Sequence, residues 1–334
     1  MDEPKRGNRI WRRLWGGCLF AGLLLAAVTG VWFWGIGRME AELRTWTTNA
    51  QAAGVHVSHG TPIRSGWPFA AALVLPDVSL TAEGPAGAER AVVWRAGDVR
   101  LAVRLWSPAI LRLTLPASRI VAGGVAIAID ASRLRADVQL GTSGVVLLAD
   151  NLRLGLPRGR MAVTHGRVQV VGTMLDVLLD GVSLPDAGLP FGGFIDAASL
   201  HGTTTVAPAP AAASPWEALA AWRDAGGVFT FDEAALHWGP LHATASGMLW
   251  LDARLQPEGQ ANAHLVGTTA LIEAMTRAGT IGRNASRVIV TLLGLMARPA
   301  PDGTLGVDLP LQLRGGRVSA GEVPLLQLSP LPIP

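Results

Sequence analysis

Several residue types that common functional sites require are scarce or missing from these 334 residues. The chain has no tyrosine, one cysteine (Cys18) and one lysine (Lys5). A single cysteine excludes an intrachain disulfide and a cysteine-based metal cluster. A phosphate-binding P-loop needs a Gly-Lys-Ser/Thr sequence, which this chain does not contain. It also has no Gly-x-Ser-x-Gly nucleophile elbow. The sequence thus lacks common signatures of nucleotide-binding proteins and serine hydrolases.

Charge is also scarce, and its distribution argues against nucleic acid as a partner. Charged residues make up 16% of the chain, against roughly 25% in an average soluble protein. Residues 1–13 contain five basic and two acidic residues, which accounts for the whole net charge of +3. The remainder has 23 basic and 23 acidic residues and is neutral. Because a nucleic-acid surface needs a basic patch on the folded body, we predict none.

One long uncharged run, residues 14–37, follows this basic tail. About 20 apolar residues suffice for a transmembrane helix, and basic residues before it favour a cytoplasmic N-terminus. We therefore predict a single-pass anchor with the rest of the chain outside. The alternative is a cleaved signal peptide, for which Ala26 and Ala27 resemble a cleavage site. The apolar run continues to Ile36, which favours a retained anchor.

The body after the anchor changes from helical to period-two patterning. Residues 38–54 predict a juxtamembrane helix that Gly54 ends. Short alternating runs then indicate antiparallel strands with one buried face, and Pro108 and Pro116 mark turns or edges. The fold class is therefore mainly β with some α: an N-terminal transmembrane helix followed by a large antiparallel β-rich body with a few helices.

The body divides by composition into two lobes. Residues 207–215 are rich in Ala and Pro and predict a linker between a first β-rich lobe, 55–206, and a second α+β lobe, 216–334. A helix should start at Pro215, after a capping Ser214. Two further helices are predicted downstream, at 269–278 and 283–297, the latter as a core helix.

A short motif, Gly66-Trp67-Pro68-Phe69, begins a series of segments that resembles a known family. The later segments in this series are Trp222–Gly227, Leu236–Leu241, Leu309-Pro310-Leu311 and Gly315-Gly316-Arg317. Over nearly the whole chain, this order resembles the proteobacterial envelope family known as domain of unknown function 2125. The resemblance implies an inner-membrane anchor and a periplasmic body, and it carries no activity and no catalytic residues. A distant similarity to AsmA-like envelope proteins is fold-level analogy only.

The candidate site residues are few. Trp67, Pro68 and Phe69 form either a rigid turn whose aromatic rings plug one end of the sheet or an exposed contact for lipid, glycan or protein. Two histidine pairs are close in sequence. His56 and His59 would face opposite sides of an extended segment and could share a metal only in a turn. His237 and His242 flank the Gly239-Pro240 turn but lack an acidic partner at a metal-binding spacing. We predict no metal, no cofactor and no catalytic residue.

These patterns leave three functional hypotheses open. The first is a non-enzymatic envelope scaffold or carrier, whose sheet offers an apolar face to lipid or to a protein partner besides the inner-membrane bilayer. The second is a periplasmic hydrolase with an unrecognised carboxylate or His/carboxylate site, which requires a pocket that brings such residues together. The third is a structural partner of a membrane complex.

Overall fold

The structure is a computed structural model that describes residues 7–52, 54–82, 92–122, 125–141, 144–157, 159–185, 189–207, 215–279, 281–299, 305–321 and 323–327. Within these residues the chain is mainly antiparallel β-sheet with four helices. The helices are α1 (Gly7–Ala52), α2 (Pro215–Asp224), α3 (Thr268–Arg277) and α4 (Arg283–Met296).

The strands of the described residues all join one sheet. The first ten are β1 (Val55–Ser58), β2 (Ile63–Ser65), β3 (Ala70–Leu75), β4 (Val78–Ala82), β5 (Val92–Ala96), β6 (Val99–Arg104), β7 (Ser107–Leu115), β8 (Ser118–Ala122), β9 (Val125–Asp130) and β10 (Arg133–Gln139). The others are β11 (Gly144–Leu156), β12 (Gly159–Val171), β13 (Met174–Ser183), β14 (Phe194–Thr204), β15 (Phe229–Trp238), β16 (Leu241–Leu251), β17 (Pro257–Val266), β18 (Arg298–Pro299), β19 (Leu305–Arg314), β20 (Arg317–Ala320) and β21 (Val323–Gln327).

The first ten strands are five long strands, each interrupted once. Ala70 of β3 pairs with Arg104 of β6, and beyond the interruption Val78 of β4 pairs with Ala96 of β5 in the same antiparallel register. The halves β9 and β10 both pair with the single uninterrupted strand β11. From β11 to β17 each strand pairs with the next one along the chain. The sheet is therefore a meander of long strands.

The interruptions lie side by side and form a line across the sheet, which we call the crease. It runs through Pro76–Asp77, Gly97–Asp98, Pro116–Ala117, Ala131–Ser132 and Asn151. Asp77 and Asn151 have left-handed backbones, with φ of 49° and 50°. Asn151 also donates a side-chain hydrogen bond to Ser132 Oγ across the crease, at 3.1 Å. We predicted that Pro116 would mark a turn or a sheet edge; it lies instead at a bend inside the sheet.

The crease keeps apolar side chains on one face of the sheet. Side chains of a strand alternate between the two faces, so one face holds either the odd-numbered or the even-numbered residues. A left-handed residue interrupts this alternation, and beyond it the same face holds residues of the other parity. Leu75 and Val78, on either side of Asp77, accordingly share one buried cluster with Ala96 and Val99. These burials lie directly beside the crease, where Leu43 of α1 packs against them.

Helix α1 continues without a break through both the predicted anchor, 14–37, and most of the predicted juxtamembrane segment, 38–54. Its second half packs on the apolar face, where Ile36 lies against Ala71 and Leu73. Further along the helix, Leu43 joins the cluster at the crease. One segment of the described residues, Gly22–Ala52, is long and apolar enough to cross a membrane, a property that signal sequences share.

The three remaining helices lie near the predicted positions. Helix α2 begins at Pro215, and β14 pairs directly with β15 on the far side of the predicted linker; residues 208–214 lie outside the described residues. Helices α3 and α4 lie against β16 and β19. Helix α4 packs on one face only, since Ile289 and Leu293 are half-buried while Leu292 is exposed.

The crease gives a direct test of the fold. Replacing Asn151 by Val should lower the free energy of unfolding by about 1–2 kcal/mol or more, because a β-branched residue is strained in a left-handed backbone. Asn151→Gly is the matched control: it also loses the hydrogen bond to Ser132 but tolerates the conformation. Thermal unfolding of the detergent-extracted chain measures both. Equal loss in the two variants would contradict the left-handed assignment.

Candidate functional site

The apolar face of the sheet is continuous across its whole width. Cross-strand neighbours in one row, each paired directly with the next, are all apolar. This row contains Leu73, Leu101, Leu113, Ala136, Leu147, Val168, Val177, Leu200, Ala234, Ala245, Ala263 and Leu309. We call this row, together with the neighbouring apolar rows on the same face, the trough.

Helices cover the trough at its two ends. Between them it contains both buried residues beside the crease, Ala149, Val163 and Val182, and residues that are only half-buried. Under α1 the side chain of Leu73 is 0% exposed. In the same row Leu147, Val168 and Val177 are only half-buried, although they lie in the middle of the sheet. Among the described residues, α1 packs mainly on β1 and β3, and its Leu43 also reaches the cluster of Val78, Ala96 and Val99. Helices α3 and α4 lie against β16 and β19, and Trp222 of α2 donates a hydrogen bond to Thr204 at the end of β14. The open part from β7 to β14 spans five strand spacings, or about 24 Å.

The other face of the sheet is polar and is held by ion pairs between neighbouring strands. Arg112 donates two hydrogen bonds to Asp137, at 2.8 and 2.9 Å. These bonds hold the pKa of Asp137 below its ordinary value, and the effect outweighs the opposing effect of partial burial. Asp150 similarly contacts Arg133 at 3.3 Å and His165 at 3.1 Å. A sheet with one apolar and one charged face is oriented for a ligand on one side and water on the other.

A second polar group lies on β13, β14 and β15. His201 Nδ1 hydrogen-bonds the carboxylate of Asp176, which is its direct cross-strand neighbour. This hydrogen bond, together with the negative charge of Asp176, raises the pKa of His201 above its ordinary value. The negative charges of Asp232 and Glu233, at a bulge in β15, also raise the pKa of His201, by less than Asp176 does.

A polar groove of about 680 Å³ is the strongest candidate for a catalytic pocket. It is lined by Asp232, Glu233, His264 and Asp308, among others. His264 Nδ1 lies 2.7 Å from Asp308 Oδ1. The opposite ring nitrogen, Nε2, is buried and has no hydrogen-bond partner among the described residues. In a His–Asp pair, the ring nitrogen opposite the carboxylate is the atom that would exchange a proton with a substrate, and here that atom is buried.

The predicted aromatic motif lies where α1 meets the sheet. Trp67 and Phe69 are exposed, at 49% and 66%, and Pro68 lies between them in the turn that precedes β3. Trp67 Nε1 donates to Thr29 Oγ1 of α1 at 3.3 Å. The ring of Phe69 lies 6.4 Å from the ring of Trp106.

The histidine pairs considered above occupy separate places. His56 is in β1 and His59 follows that strand, beside the crease. His237 and His242 are brought together, since they are cross-strand neighbours whose rings are 4.4 Å apart. Within the part of the chain that the structure describes, no three His, Cys, Asp or Glu side chains are grouped as metal ligands.

Sequence reasoning found the alternating strands but missed the trough. Leu147 and Ala149 occupy odd positions, whereas Leu152 and Leu154 occupy even ones, so the period-two pattern breaks between them. The available signal was Asp150-Asn151 at the break, since Asn is enriched among residues that adopt a left-handed backbone.

The chain belongs to the family described as "Uncharacterized protein conserved in bacteria (DUF2125)", whose match covers residues 32–329. This confirms the resemblance noted in the sequence. Neither a curated protein nor a solved structure matches the chain.

The Asp176–His201 pair gives a pH-dependent prediction. Asp176→Asn should lower the pKa of His201 towards its ordinary value of 6.5, because the hydrogen bond and the charge that raise it are lost. A raised pKa stabilises the folded state at pH below the unfolded pKa, and this stabilisation disappears as pH rises through the folded pKa. Wild type should therefore exceed the variant in thermal stability below pH 6.5 and by less above it.

Histidine NMR titration and unfolding at several pH values measure the two effects. Asp180→Asn is the control, because Asp180 lies on the same strand and pairs with Ala197 instead of a histidine on β14. An unchanged His201 titration in Asp176→Asn would refute the assigned cause.

Proposed function

We propose that this chain is a non-enzymatic carrier or scaffold of the bacterial envelope, anchored in the inner membrane by α1, with its body in the periplasm. The observation that supports it is the open middle of the trough. Burying apolar surface is favourable by roughly 25 cal/mol per Å², so half-buried Leu147, Val168 and Val177 favour an apolar occupant. The opening of about 24 Å exceeds the roughly 15 Å depth of one leaflet's hydrocarbon, which makes a lipid acyl chain a suitable ligand.

The exposed residues of α1 favour a retained anchor over a cleaved signal peptide. Leu23, Leu24, Val31, Phe33 and Trp34 are all more than half exposed. Cleavage after Ala27 would leave the last three of these in water, whereas a bilayer would cover all five. Aromatic side chains at the end of the span are also typical of the membrane interface.

Two other functions remain in competition with the carrier. A hydrolase is favoured by the presence of His264, Asp308 and two further carboxylates in one groove. The burial of His264 Nε2 counts against it. A structural partner of a membrane complex would use the same open trough for a protein segment, and crosslinking in membranes followed by co-purification separates that case from the carrier.

Two consecutive residues of β13 provide a test of lipid binding. Val177 faces the trough and Leu178, which is 50% exposed, faces the opposite side. Val177→Glu should reduce bound phospholipid by about tenfold or more, since burying an unpaired charge beside a ligand costs well over 1.4 kcal/mol. Leu178→Glu introduces the same charge on the polar face and should leave lipid binding unchanged.

Native mass spectrometry of the full chain, extracted in mild detergent, counts the bound lipid. Absence of lipid from the wild type, or equal lipid in all three proteins, would refute the carrier. Unfolding temperatures of both variants show whether the fold is retained.

Membrane topology is tested separately. A C-terminal alkaline phosphatase fusion should be active in cells, because this enzyme folds only outside the cytoplasm. A C-terminal green fluorescent protein fusion should be dark, because this protein does not become fluorescent when the general export pathway carries it across the membrane. The intact mass of the membrane-extracted chain should include residues 1–37. The opposite reporter pattern, or a mass lacking these residues, would contradict the anchor.

A further inference from the structure

Strand β3 runs alongside α1, which orients the sheet relative to the anchor. At the start of β3, Ala70 O accepts a hydrogen bond from Trp32 Nε1 at 2.9 Å. In the middle of the strand, Ala71 and Leu73 pack in one buried cluster with Ile36 of α1. At the end of the strand, Leu75 lies in the cluster with Leu43. The strand therefore starts at the level where α1 carries its interfacial aromatic residues, and it runs away from that level in the same direction as the helix.

Three turns lie next to each other at this end of the sheet. The first precedes β3, the second joins β6 to β7, and the third joins β10 to β11. Leu105 N donates to Phe69 O at 3.2 Å, which joins the first two turns, and Leu140 N donates to Ala109 O near the start of β7 at 2.7 Å. We call this end of the sheet the proximal edge.

The proximal edge exposes large apolar side chains at every one of these turns. Trp67, Phe69, Trp106 and Leu140 are between 49% and 66% exposed. The sequences of the three turns, Gly66–Phe69, Leu105–Trp106 and Leu140–Gly144, contain no acidic residue. The Arg104 guanidinium lies 5.8 Å from the ring of Trp106. Tryptophan and arginine are the residues that anchor a protein surface in the headgroup region of a bilayer.

The contact between Trp67 and Thr29 decides which surface this edge meets. Thr29 lies within the uncharged run of residues 14–37, so a residue of the proximal edge touches the anchor itself. The exposed side chains of the edge are thus continuous with the exposed Phe33 and Trp34 of α1. A surface continuous with a transmembrane segment meets the bilayer before any other partner.

We propose that the proximal edge rests in the headgroup region of the bilayer that α1 spans, and that lipid enters the trough through it. The second half of this proposal rests on the carrier function; the bilayer contact does not. The apolar row at this edge, which includes Val103, Leu111, Val138 and Val145, begins directly above the turns. An acyl chain can therefore pass from the leaflet to the trough without crossing water, which removes the main cost of lipid transfer.

Site-specific labels test the bilayer contact on the full chain in phospholipid nanodiscs. Cys18→Ser removes the single cysteine, and a new cysteine at Trp106 or Leu140 carries an environment-sensitive fluorophore. Val125 is the matched control, because it is 43% exposed and lies at the start of β9, at the opposite edge. Nanodiscs with spin-labelled phosphatidylcholine should quench the labels at 106 and 140 at least twofold more than the label at 125. Equal quenching at all three positions would overturn the bilayer contact.

Lipid entry is tested by photo-crosslinking. A photoreactive amino acid at Val177 should capture a radiolabelled phospholipid supplied in the nanodisc. Replacing Phe69 and Trp106 together by Glu should reduce the rate of capture about tenfold while leaving capture of lipid supplied in detergent unchanged. If the double variant captured lipid from nanodiscs at the wild-type rate, entry through this edge would be overturned. Failure of capture in wild type from both sources would refute the carrier function instead.

Discussion

The architecture depends on one constraint, which is that apolar side chains must stay on one face of a sheet whose strands bend in the middle. Asp77 and Asn151 satisfy it by adopting left-handed backbones, which shift the alternation of side chains by one position. Leu75 and Val78 can then pack together across the bend. Without the shift at these two positions, the apolar residues beyond Asp77 and Asn151 would face the opposite side of the sheet.

The same constraint explains why the body has so few fully buried residues for its length. Among the described residues the strands form a single sheet without a second sheet against it, and helices pack on its apolar face mainly at the ends. Leu73 is buried because α1 lies over it, whereas Leu147 in the same row is half-buried. The opposite face is stabilised by ion pairs such as Arg112–Asp137, which is partly buried, and Arg133–Asp150, whose more exposed setting makes its contribution modest.

Much of the local structure could be predicted from the sequence because local patterns determine it. Alternation predicted strands, Ser214-Pro215 predicted a helix start, and the uncharged run 14–37 predicted the long apolar helix. The candidate site was less accessible. Trp67 and Phe69 stood out by residue type, but their contacts with Thr29 and Trp106 join residues more than 35 positions apart. Period-two patterning also stopped at Asp150-Asn151, so one strand was interpreted as separate runs.

The sequence alone determined the class of fold, the apolar N-terminal helix and the neutrality of the body, since composition and short-range periodicity are properties of neighbouring residues. Only the tertiary structure decided that the strands share one apolar face and that α1 covers one end of it. Those features depend on register between strands and on backbone conformation at single residues. Both arise from packing between distant parts of the chain, so a local pattern does not contain them.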